Sequence, residues 1–152
     1  MTIDNLYERD FTAWAEAQTE ALRKRGANEI DWENIAEEIE SVGRSDTEAF
    51  QSQVEVILAH FLKIEFSDLS EPLLHWQAEI DAARSNLERK ATPTLLARAP
   101  ADVSRRYSYA VKDVRRAYKR RGETPPDLPS ECPYTWDDVL GRGGDWTPAP
   151  RG

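Results

Sequence analysis

The chain holds little of what covalent or metal chemistry draws on, with one cysteine and two histidines in 152 residues. A lone Cys132 forms no intrachain disulfide. Its setting, Glu131-Cys132-Pro133, supplies neither the base nor the electropositive surroundings that a nucleophilic thiol needs. Long hydrophobic runs are missing too. The longest apolar stretch, 54–64, is interrupted by Glu55, His60 and Lys63 and falls well short of the ~20 residues that span a bilayer. The opening MTIDNLYERD is acidic where a secretion signal is basic and then apolar, so a reducing cytoplasm is the expected compartment, with no membrane partner. The Glu-x-x-His pattern of carboxylate metal bundles does not occur, since Ile57 stands three residues before His60 and Pro72 three before His75. Neither a metal nor a cofactor is expected. The GRGG at 141–144 has no Lys-Ser/Thr after it and no strand before it, which excludes a phosphate loop. Strand-like alternation and internal repeats are absent as well.

What remains is helical periodicity and charge. Hydrophobic residues at 39% and charged residues at 32% are those of a globular chain. The formal charge of -8 is unevenly spread: residues 1–43 carry 11 acids and 4 bases, whereas 91–122 carry 2 acids and 9 bases. An acidic body with one basic helix speaks against a nucleic-acid binder as a whole and leaves room for a local anion site.

The spacing predicts an all-α bundle of about five helices with an extended Pro/Gly-rich C-terminal arm. Asp4 caps a first helix that runs to about Arg25, with Gly26 as the left-handed residue past its end and Tyr7, Phe11, Trp14, Ala21 and Leu22 as its apolar stripe. Gln18 falls inside that stripe and needs hydrogen-bond partners unless it lies at a frayed end. Asp31 caps a second helix with Trp32, Ile35, Ala36, Ile39 and Val42 as its buried face and a break near Gly43; one long helix kinked there is the alternative. Ser45 and Glu48 open a third and central helix with Phe50, Val54, Ile57, Phe61 and Ile64 inward. Ser70 and Pro72 open a fourth, to about Lys90, around Leu73, Trp76, Ile80, Ala83 and Leu87. A short turn from Thr92-Pro93 ends at Pro100, which also opens the fifth helix, with Val103, Tyr107, Ala110, Val111, Val114 and Tyr118 inward up to Gly122. One domain is expected over 1–140, with an arm at 123–140 laid across the bundle and a short turn at Trp136 capped by Thr135. Residues 141–152 are expected to be disordered unless Trp146 finds a surface.

Three groups of residues carry candidate chemistry. Glu38 and His60 border the apolar faces of their helices, with Lys63 at the rim. Meeting at a helix seam, they form either a structural polar pair that fixes register or an enzyme site with Glu38 as base, His60 as acid and Lys63 as anion holder. Arg105, Lys112, Arg115, Arg116 and Lys119, around Tyr109, make a basic face on the fifth helix that either grips phosphates, those of nucleic acid included, or docks on the acidic second helix. Glu71, His75 and Glu79 share an exposed face suited to i, i+4 ion pairing. With no recognisable catalytic motif, a non-enzymatic interaction module that binds a protein partner or a second copy of itself is the leading reading.

Several short segments together resemble a known bacterial family, the domain of unknown function 29. They are Leu6-Tyr7 with Asp10-Phe11 and Trp14; Asn34-Ile35 with Glu37-Glu38-Ile39-Glu40 and Gly43; Leu58, His60, Leu62 and Lys63; Trp76; and Leu128-Pro129 with Cys132-Pro133-Tyr134-Thr135. The resemblance implies a helical fold and assigns no activity, cofactor or catalytic residue.

Overall fold

Every regular element among the described residues is helical, in a computed structural model that describes residues 3–68 and 71–151 without the side chains of 3–5 and 11. The chain runs through α1 (Ile3–Arg9), α2 (Phe11–Lys24), a 3-10 turn (Ala27–Glu29), α3 (Trp32–Phe66), α4 (Leu73–Lys90), α5 (Pro93–Arg120) and α6 (Trp136–Val139). The chain is all-α, as the periodicity predicts. Asp4 as a cap, Phe11 as a stripe residue and Ser70 as a helix opener lie outside the described side chains and residues. The contacts divide the chain into two compact units, Met1–Ser45 and Asp46–Gly152.

In the first unit, the single helix expected up to Arg25 is two. Asp10 leaves helical geometry, and its carboxylate accepts from the Ala13 N–H at 3.0 Å, so a residue with an N-cap side chain interrupts a stripe that reads as continuous. Arg25, not Gly26, is the left-handed residue that ends α2. Gln18, 4% exposed, accepts from the Asp31 N–H at 2.7 Å and donates to the Glu29 carbonyl at 3.3 Å, tying α2 to the entrance of α3. There Asp31 caps as expected, accepting from the Asn34 N–H at 3.4 Å, and it also takes the Trp14 indole N–H at 3.1 Å. Burial opposes ionisation of Asp31, but the hydrogen bonds from Asn34 and Trp14 outweigh it and hold the carboxyl below its usual range.

The break expected at Gly43 does not occur: α3 is one helix of 35 residues. A lone glycine costs an exposed helix only ~1 kcal/mol, too little to stop it without a competing cap. A second expected boundary also fails, because α5 runs straight through Pro100. Its buried residues Leu95, Ala99, Val103 and Tyr107 recur every fourth position across the proline, so packing continues where the backbone hydrogen bond is lost.

The second unit packs the C-terminal part of α3 against α4 and α5 around Phe50, Ile57, Phe61, Ile80, Val114 and Tyr118, all at most 1% exposed. Over this core the arm is stitched at several points. The Tyr107 hydroxyl donates to the Pro129 carbonyl at 2.6 Å, and the Tyr134 hydroxyl donates to Glu65 at 2.5 Å while its ring meets Phe61 edge-on. Thr135 and Asp138 close a capping box at the start of α6. Trp146 does find a surface: its ring stands edge-on to Phe61, 5.6 Å between centroids, under the Arg142 guanidinium. Arg151 reaches Glu65 at 3.1 Å. At the turn after α6, Gly141 has φ +87°, and a Cβ there would overlap the Gly144 carbonyl oxygen.

Arg84 of α4 is the central pin of this arrangement. Its guanidinium donates to the carbonyls of Val139 (2.8 Å), Asp138 (3.1 Å) and Trp146 (2.6 Å), capping α6 and fixing the chain beyond it. Replacing Arg84 by Ala strands those acceptors and should destabilise the second unit by roughly 2–4 kcal/mol. Urea unfolding of the variant against the parent checks this; a loss under ~0.5 kcal/mol, the range of a neutral surface change, would contradict it.

Candidate functional site

Glu38, His60 and Lys63 all stand on α3. Glu38 belongs to the first unit and His60 and Lys63 to the second, and Glu38 and His60 each have partners of their own. Glu38, half-buried, accepts from the Tyr7 hydroxyl. That bond, with burial and the neighbouring carboxylates, pushes the Tyr7 phenol up to about 12. The Tyr7 ring in turn packs edge-on against Trp14 at 4.8 Å. Glu38 is thus held by a phenol inside the first unit, a partner that the sequence pattern did not pick out.

His60 lies in the second unit, half-buried, with Nδ1 2.7 Å from the Val56 carbonyl. A carbonyl only accepts, so Nδ1 carries the proton and Nε2 is the bare nitrogen of the neutral ring. Burial pulls the imidazole below its ordinary value, and the charge of nearby Lys63 adds to this. His60 and Lys63 are neighbours on α3, as expected. The face Glu71, His75, Glu79 is not an ion-paired ladder: Glu71 accepts from the Trp76 indole at 3.0 Å and from Arg121 at 2.5 Å.

A polar seam does exist, between α3 and α5. Gln51 donates to Asp102 at 2.9 Å and accepts from Arg106 at 2.5 Å, and Arg106 stands 3.5 Å from Glu55. Burial, then a hydrogen bond with Asp113, raises the Glu55 carboxyl. Within the second unit, the basic face of α5 is partly consumed by acids at Glu55, Glu71, Asp102 and Asp113. Among the candidate anion holders, Arg105 and Arg116 have such partners. Among the described residues no carboxylate pairs with Lys112, Arg115 or Lys119. Cys132 is half-buried with its thiol 3.4 Å from the Tyr134 carbonyl, and burial pushes the thiol up, away from the reactive thiolate.

The largest departure from expectation is on the first half of α3. Trp32, Ile39 and Val42, expected in the core, are 60%, 68% and 61% exposed, and Ala36 between them is exposed too. At about 100° per residue they form one stripe, and Glu33, Glu37 and Glu40 form a ridge along one edge of it. An exposed apolar stripe of this kind is the signature of an interaction face. Periodicity could find the stripe, but not that the chain leaves it open.

The sequence model of the family described as "Domain of unknown function DUF29" matches residues 6–144, and the chain belongs to that family. No curated protein and no solved structure matches it. No helix among the described residues is long and apolar enough to cross a membrane.

The His60 environment has a consequence in pH. A histidine whose folded value lies below its unfolded one, near 6.5, contributes stability above the unfolded value that is lost as pH falls through the folded one. Urea midpoints from about pH 7 to about pH 5 should therefore drop further for the parent than for His60→Gln. Parallel curves would contradict a buried neutral ring.

Proposed function

We propose that this chain is a non-enzymatic docking module of the cytoplasm whose binding face is the Trp32, Ile39, Val42 stripe of α3. The observation that carries the reading is the exposure of three large apolar residues, one of them a tryptophan, on a single helical face. The charge around that face selects the partner. Residues 1–45 carry 11 acids against 5 bases, with Glu33, Glu37 and Glu40 beside the stripe. A second copy docking through the same face would set acids against acids, which favours a different partner. The fitting ligand is an amphipathic helix whose apolar stripe is flanked by lysines or arginines.

A direct test uses two synthetic helices with the same leucine stripe, one flanked by Lys/Arg and the other by Glu/Asp, titrated into the purified protein by calorimetry. The basic helix should bind saturably and the acidic one should not. Ile39→Glu should weaken binding by about tenfold or more, while its stability stays within ~0.5 kcal/mol of the parent because the side chain is exposed. Equal binding of both helices, or none of either, would refute the assignment. A large loss of stability in Ile39→Glu would mean that the stripe is core.

A further inference from the structure

We propose that the groove between α5 and the arm segment 128–132 is a binding site for a small phosphate monoester, separate from the docking face of α3. The groove has a volume of about 710 Å³, within the range of small-molecule sites. One wall is α5, which contributes Lys112 and Arg115; three residues apart, they project from the same face of the helix. The opposite wall is Leu128 to Cys132 of the arm. Its position is set by the buried Tyr107, 4% exposed, whose hydroxyl donates to the Pro129 carbonyl at 2.6 Å. The two walls are thus fixed before any ligand arrives, which lowers the cost of binding.

The groove is lined by basic residues of α5 that no carboxylate of the described residues engages. Arg105, Arg106, Arg116 and Arg121, which do not line it, each have a carboxylate partner. Lys112 and Arg115, which line it, have none among the described residues, and Lys112 is instead set over the Tyr109 ring at 5.3 Å. Two cations without an ion-pair partner among the described residues sit where the surface is concave. An arginine fork and an ammonium, with the hydroxyls of Ser104 and Ser130 on the lining, offer enough donors for the terminal oxygens of a phosphate. Glu131 at the same lining offsets one positive charge and disfavours long polyanions. Leu128, Pro129 and Val111 supply an apolar wall for the organic part of the ester. Cys132 is a neutral part of the wall, so the site binds without covalent chemistry.

The test titrates the full chain, at low salt, with inorganic phosphate, phenyl phosphate and benzoate, following backbone amide shifts by NMR. Phenyl phosphate should bind saturably, with shifts centred on 104–115 and 128–132, and more tightly than inorganic phosphate or benzoate. The double variant Lys112→Ala/Arg115→Ala should lose at least about tenfold in affinity, whereas Lys119→Ala/Arg120→Ala, off the groove, should bind as the parent does. No saturable binding would overturn the proposal. So would an equal loss in both double variants, which would mean diffuse attraction to a basic helix. Benzoate binding as tightly as phenyl phosphate would remove the phosphate assignment. Tighter binding of duplex DNA than of phenyl phosphate, abolished in both double variants, would reassign the surface to nucleic acid.

Discussion

The continuity of α3 is the constraint on which the remaining structure depends. One helix of 35 residues contributes to both compact units, and within each unit its residues take their direction from the 3.6-residue period. That fixes Glu38 toward Tyr7 in the first unit and His60 toward its own Val56 carbonyl in the second. It also turns Trp32, Ile39 and Val42 away from the packing side of the first unit.

The segments that mark the family read differently once folded. Leu128-Pro129 and Cys132-Pro133-Tyr134-Thr135 invite attention to a thiol, yet their polar groups go to clasping the arm: Pro129 accepts from Tyr107, Tyr134 donates to Glu65, and Thr135 caps α6. The N-terminal segments pair off similarly, Tyr7 with Glu38 and Trp14 with Asp31. The polar groups of these segments are therefore taken up by hydrogen bonds within the fold. The surfaces proposed to bind partners are built from what lies between and beside those bonds.

The helices of the core were legible in the sequence because their signals are local. The inward faces of the central and fifth helices, the caps at Asp31 and Thr135, and the need of Gln18 for partners all follow from residue type and period. Boundaries were less legible where two local signals compete. Asp10 interrupts an apolar stripe that reads as continuous, whereas Gly43 and Pro100, both nominal helix breakers, are carried through. The candidate site was legible in part. Lys63 beside His60 follows from spacing on one helix, but the Tyr7 partner of Glu38 is set by how the first unit closes, which no local pattern encodes. The exposure of the α3 stripe was not legible at all, since periodicity reports that a face is apolar and not what covers it.

The most direct measurement of the central claim is the unfolding free energy of Gly43→Ala. In a continuous helix, with no atom within 4 Å of a new Cβ, alanine gains helix propensity without a clash, and stability should rise by roughly 0.5–1 kcal/mol. If residue 43 were instead a left-handed helix end separating two helices, alanine would be strained there and the same substitution would lower stability, contradicting the single-helix account.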